Sequence, residues 1–277
     1  MARPQTGVAQ PPQKYGLSAT YQIKDVPMHA MSIAHLGAMV PGLAQEIGGA
    51  KSSDRVDYLV GFGSLLGSFI WQGNQPRGFN RLHTLQKEEV FHSSTDGDLW
   101  IFLSSQSADV NHKLEECVQN YLSKLVIKKE LVEGTMADTP YTLESRDRIL
   151  IDSSDPEFNQ SCFVWVHGME NMERAENPSM GIVASGKERS PLSATAARSY
   201  GMYYELQGEN CFLEFSFAAT PELFKKIIQD QGIPPKQNFQ PVSKGFFFLP
   251  SVEVLVSSRM GTLRIGSLSP TAKWKEC

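Results

Sequence analysis

An α+β fold with antiparallel sheets is what this sequence predicts, and three observations carry it. Short apolar runs alternate with helical patterns in the order β-α-β-β-α-β. The same order recurs after a charged stretch containing Gly134 and Pro140, which reads as a domain boundary. The composition, 41% hydrophobic and 20% charged over 277 residues, is that of a globular chain long enough for one large domain or two smaller ones.

Leu17 to Ile23 reads as the first strand. Val26 to Ile47 is rich in Ala, Met and Leu at helical spacing, and Pro41 is expected to interrupt it by removing a backbone donor. Val56 to Phe62 is a compact apolar strand, followed by a Gly- and Asn-rich excursion over 73–80 and a polar connection through His92. Asp98 to Leu103 gives the third strand, Val110 to Leu125 an amphipathic helix, and Val126 to Val132 the fourth strand. This order is the ferredoxin-like arrangement.

Residues 133–155 are expected to be a loop. Beyond them, Cys162 to His167, Tyr200 to Leu206, Cys211 to Phe217 and Gly245 to Leu249 read as strands, with helices expected around Met169 to Glu176 and over Pro221 to Asp230. Thr220 is the expected N-cap of the latter helix, with Pro221 in its first turn. The organisation expected is a flexible leader (1–15), a ferredoxin-like domain (16–134), a connection (135–158), a second ferredoxin-like domain (159–258) and a tail (259–277). Within 251–277 a strand-like segment precedes polar chain.

A net charge of -4 leaves no electrostatic footprint for nucleic acid. No run reaches the 18 to 20 apolar residues that would span a bilayer, and Met1 to Tyr15 lacks the apolar core of a signal peptide. A cytoplasmic protein is the expectation. Cys117, Cys162, Cys211 and Cys277 contain no C-x-x-C pair and are expected as free thiols.

Local motifs are weak. Gly61, Gly63 and Gly67 follow a strand, but Leu66 stands where a dinucleotide-binding loop needs its third glycine, and Ser68 to Trp71 does not open a convincing helix. His83 and His92 lack a third ligand specified by spacing, so no metal site is expected. His167 and Glu170 would share a face if they stood on a helix. Asp152, Asp155 and Glu157 sit in a turn-like context, where paired carboxylates are ordinarily solvated.

Segments spread over 55–255 resemble the dye-decolorizing (DyP-type) peroxidases, a haem family of the dimeric α+β barrel superfamily with two ferredoxin-like domains. RVDYLVGFG at 55–63 is similar to the family's strand ending in a Phe-Gly turn. EVFHSSTDGDLWIFLSSQSADVNHKL at 89–114, DPEFNQSCFVWVHGME at 155–170, FSFAATPELFKKII at 215–228 and GFFFLPS at 245–251 follow in family order. The resemblance implies a proximal histidine, a G-x-x-D-G aspartate and a distal arginine.

This sequence departs from the pattern at each. The chain has no histidine after His167. The expected proximal position, in ERSPLSATAARSYGM, reads Ala194, with Arg198 resembling a family arginine downstream. The distal arginine's position in FSFAATPE reads Ala219. No G-x-x-D-G lies between 134 and 155, although Asp147 and Asp152 are available carboxylates.

No bound cofactor is therefore expected, and whether the chain is an enzyme stays open. Three readings remain. The first is a haem-free ligand-binding or assembly protein, taking an apolar small molecule or forming a homo-oligomer or part of a larger assembly. The second is an enzyme of non-haem chemistry using His167, Asp152, Arg198 or Tyr204. The third is a haem peroxidase with a substitute iron ligand such as Cys211. If Ala219 keeps the arginine's direction, alternation puts Cys211, Leu213, Phe215 and Phe217 on one apolar face, and Arg198, Phe215 and Phe217 become candidate ligand contacts.

Overall fold

The structure, a computed structural model, describes residues 2–49, 55–72, 76, 79, 97–137, 149–155, 158–170, 198–222 and 240–256. Its strands are β1 (Tyr15–Ile23), β2 (Asp57–Phe62), β3 (Leu99–Ser105), β4 (Val126–Met136), β5 (Cys162–Glu170), β6 (Arg198–Leu206), β7 (Glu209–Ala218) and β8 (Gln240–Leu249). The helices are α1 (Thr6–Ala9), α2 (Val26–Gly48), α3 (Ser64–Ile70), α4 (Ala108–Leu122) and α5 (Val252–Val256).

All strand pairs are antiparallel. They close into one barrel in the order β1-β3-β2-β8-β5-β7-β6-β4. Within each half the strands run fourth-first-third-second, so the second half repeats the topology of the first.

Alternation along the strands separates two cores. Trp100 and Phe102 of β3, Cys162, Val164 and Val166 of β5, the alternate residues Cys211 to Phe217 of β7, and Phe247 of β8 point into the barrel. Leu99, Ile101 and Leu103 of β3, with Phe163, Trp165, Phe246 and Phe248, face outward. The outward residues of the first half pack under α2 and α4. In α4, Leu114, Cys117, Val118 and Leu122 recur at helical spacing and are buried. Strands covered on both faces are apolar throughout, which is why β3 reads as a continuous apolar run.

The two halves meet at narrow seams. At one, β2 and β8 share the single pair Phe62–Phe248. At the other, β4 and β6 share Thr135–Tyr203 and Met136–Met202. Gly134 sits directly under the Tyr203 carbonyl, where a Cβ would collide with that oxygen.

Several expectations are corrected. Residues 2–14 are not a loose leader: Gln5 is 1% exposed and Val8 belongs to the barrel interior. Helix α2 runs through Pro41 without a break. A proline leaves the carbonyl four residues back without its donor and crowds it. Here that residue is Gly37, which has no side chain and packs closely on Phe62. Glu133 to Met136 extend β4 rather than opening a loop.

Met169 and Glu170 belong to β5, so His167 and Glu170 stand three apart on a strand, not together on a helix. Gly63 caps a short helix, α3, over residues read as non-helical. Val252–Val256 is helical, not strand-like, once Pro250 ends β8. The helix expected over Pro221 to Asp230 is described only at Pro221 and Glu222, which are helical; His83, His92, Asp147, Glu157, Ala194 and Cys277 lie outside the described residues.

Candidate functional site

The second-half sheet has two faces with different contents. Its inner face is filled. Phe215 lies 4.7 Å from Phe102 and 5.7 Å from Trp100 between ring centroids, and Trp100 stacks on Phe247 at 5.6 Å. Phe217 meets Tyr200 edge-on at 5.2 Å. Trp100 hands its indole N–H to Ser18 Oγ at 2.9 Å, so the one polar handle of this stack is satisfied. Phe215 and Phe217, two of the sequence-derived ligand contacts, are core residues of this interior rather than walls of a void. The shared face of Cys211, Leu213, Phe215 and Phe217 is as alternation placed it.

The outward face carries cross-strand rows of different character. One row is Phe248, Phe163 and Ala218; the next is Phe246, Trp165 and Ser216; the third contains Glu214 and Gly201. Aromatic groups therefore give way to polar ones along the sheet. Glu214 is 4% exposed and Ser216 is fully buried. The Ser216 hydroxyl has no hydrogen-bond partner. A buried hydroxyl left unpaired costs free energy, so a polar residue retained here marks this face as the candidate site. Glu and Ser inside CFLEFSF were the sequence signal, and alternation alone could have found them.

Beside Phe246 a cleft of about 630 Å³ opens against the first half. Ile23, Lys24, Asp25, Leu65, Phe69 and Asp98 line it. Three of its polar groups already have structural partners. Asp25 caps α2 by accepting from Met28 N, the Asp98 carboxylate accepts from Ile23 N, and Lys24 Nζ donates to the Lys124 carbonyl.

The remaining sequence-derived candidates do not converge. His167 sits mid-strand in β5, in register with Glu214. Tyr204 lies on the inner face, buried, opposite Cys211. Arg198 opens β6 opposite Phe217, six residues and so about 20 Å of strand from Tyr204. The side chains of His167 and Arg198 lie outside the described residues. Asp152 is exposed in a turn held by Ile151 N to the Ser161 carbonyl. Ala219 is half-buried in the bend after β7.

The described cysteines Cys117, Cys162 and Cys211 form no disulfide and are buried. Burial without a compensating charge pushes the Cys162 thiol far above its ordinary range, so it is inert as a thiolate. Among the described residues no group of three or more His, Cys, Asp or Glu could hold a metal ion. No helix among them is long and apolar enough to cross a membrane.

A closed antiparallel barrel with helices packed outside it, built twice over on one strand order, defines the class. Residues 5–134 match the family described as Dyp-type peroxidase, N-terminal. Solved structures agree over more than nine-tenths of the chain. The encapsulated DyP-type peroxidase from Mycobacterium smegmatis superposes with a TM-score of 0.73 at 16% identity, covering 93% of this chain and 98% of that one. A Rhodococcus jostii RHA1 DypB variant in complex with heme gives 0.72 at 17% identity, covering 91% and 98%. A dye-decolorizing peroxidase from Bacteroides thetaiotaomicron VPI-5482 gives 0.69 at 14% identity, covering 92% and 98%. The curated proteins contain no match. Residues 5–134 place the N-terminal part of the chain in the Dyp-type peroxidase family.

Proposed function

We propose that this chain is a Dyp-type peroxidase relative, made of two ferredoxin-like halves, that has lost haem binding and peroxidase activity and serves as a ligand-binding or assembly protein of the cytoplasm. The donor set carries this reading. A haem of this family is held by an axial side chain, and the chain from 168 onward offers no histidine, with Ala194 at the proximal position and Ala219 at the distal one. The thiols of Cys162 and Cys211 lie inside a filled barrel, walled by aliphatic and aromatic groups, which gives no support to Cys211 as a substitute ligand. These residues do not fit a haem.

The repeated fourth-first-third-second strand order supports the two-half description. The filled inner face directs the ligand-binding reading to the outward face of the second-half sheet, where Ser216 keeps an unpartnered hydroxyl. Assembly is supported by the Mycobacterium smegmatis relative, which is encapsulated.

The test is an absorbance spectrum of protein purified from haem-replete cells. The expected result is no Soret band and no peroxide-dependent dye oxidation; stoichiometric haem in the purified protein would falsify the proposal. Glu214 and Ser216, buried polar residues of β7 in successive rows, also favour a second reading, an enzyme of non-haem chemistry on that face. Its check is a Glu214→Gln variant, which must lose a turnover that the wild type shows with a screened substrate panel.

A further inference from the structure

The backbone of β2 has two edges. One pairs with β3 along its length. On the other edge, among the described residues, only Phe62 reaches a strand, its partner being Phe248 of β8. The remaining polar groups on that edge must be satisfied, because an unpaired peptide group inside a fold costs as much as a lost hydrogen bond. The leader supplies the partners, one by one.

Tyr58 N donates to Thr6 Oγ1 at 3.0 Å. Val60 N donates to Gln5 Oε1 at 2.6 Å, while Gln5 Nε2 donates to the Val60 carbonyl at 2.9 Å. The Gln5 amide thus imitates one peptide unit of a missing strand. Its second N–H bond goes to the Pro250 carbonyl, also at 2.9 Å, where β8 has just ended. The same side chain holds both sides of the seam.

Further contacts extend the crossing. Val252 N donates to the Arg3 carbonyl at 2.8 Å, and Arg3 pairs with Glu253 of α5 at 2.9 Å. Gly7 packs so tightly on Leu59 and the Tyr58 carbonyl that a Cβ would not fit. Beyond α1, the Tyr200 hydroxyl of β6 donates to the Gln10 carbonyl, and Gln13 bonds Ser104 of β3 and Asp57 of β2.

We infer that residues 3–13 form a clasp whose release opens the β2–β8 seam of the barrel while leaving the rest of the sheet paired. The seam then admits solvent to Leu59, Leu249 and Cys162, the interior residues beside it. Cys162 is the natural reporter, since it pairs with Leu249 next to Pro250. Cys211 shares the interior but lies at the far end of β7, and Cys117 lies on the buried face of α4, so both are internal controls.

The experiment uses the full chain. Thiol labelling, resolved by peptide mass analysis, and amide exchange are compared between wild type and Gln5→Ala. The clasp predicts Cys162 labelling and Val60 exchange accelerated by about tenfold or more, as loss of buried hydrogen bonds gives in a local opening, with Cys117 and Cys211 unchanged. A Gln5→Glu variant keeps the acceptor for Val60 N and loses both donors, and gives an intermediate acceleration. Thr6→Val, which removes only the Tyr58 partner, keeps the test open if Gln5→Ala does not fold. Unchanged Cys162 and Val60 rates overturn the inference, as does equal acceleration of all three thiols, which means global unfolding.

Discussion

Behind the first-half sheet the buried Glu115 carboxylate is held by two donors; behind the second-half sheet the buried Ser216 hydroxyl is held by none. Glu115 of α4 accepts from the Tyr21 hydroxyl and from Lys128 Nζ, both at 3.0 Å, so three elements of the first half meet at one oxygen. Tyr21 responds as a buried phenol should: burial first, then the Glu115 carboxylate, push its pKa far above the ordinary range. In the second half, at the corresponding outward side, Ser216 is buried with no partner. A polar network that is complete rigidifies a fold, and one that is incomplete is where function or strain resides. The two halves share a strand order, and the first carries a brace at Glu115, while Asn111 Oδ1 and Gln119 Oε1 of the same helix stay as unpaired as Ser216 Oγ in the second.

Four measurements press on this comparison. The largest effect is expected at the interior common to both halves: Trp100→Ala, which empties the stack between Phe102, Phe215 and Phe247, should cost about 3–5 kcal/mol in urea unfolding. A loss under about 1 kcal/mol would mean that the inner face is not packed, and the site could then return to it. Glu115→Ala should cost about 1–3 kcal/mol, because Tyr21 and Lys128 lose their common acceptor. A neutral result would dissolve the contrast between the halves.

A pH measurement comes next. Burial raises the Asp57 pKa from 3.8 against the lowering effect of Arg55, whose guanidinium bonds its carboxylate at 2.8 Å. A carboxyl whose folded pKa is raised binds its proton more tightly in the native state. Its contribution is complete below the unfolded pKa and is lost as pH climbs through the folded one. Asp57→Asn should therefore remove part of the stability decline from about pH 4 upward, and an unchanged slope would assign the decline to other groups. The smallest effect is Ser216→Ala, which should be neutral or stabilise by up to about 1 kcal/mol since no bond is lost. Clear destabilisation in thermal melts would show a hydroxyl already paired.

Legibility in the sequence followed burial. Runs such as LWIFL and DYLVGF are covered on both faces, so apolar continuity alone reveals them. The periodicity of α4 is equally plain because one face of it is buried. What escaped were features made by partners distant in sequence. Gln5 and Gln13 look like solvated leader residues, yet each is buried by bonds to residues more than forty positions away. Barrel closure through one pair at β2–β8 leaves no local trace. At the candidate site, alternation correctly grouped Cys211, Leu213, Phe215 and Phe217, but parity cannot say which of two faces is packed shut; that is decided by Trp100 and Phe102 from the other half.

Gly134 has a consequence for how the chain finds its register. Strand pairing is free to slip by a residue wherever neighbouring positions are sterically alike. Sliding β4 one step along β6 would bring Glu133 or Thr135 under the Tyr203 carbonyl, where only a hydrogen atom fits. The glycine acts as a key cut for a single lock. It selects one alignment of the two halves during assembly, at a seam only two pairs long, and does so by what it lacks.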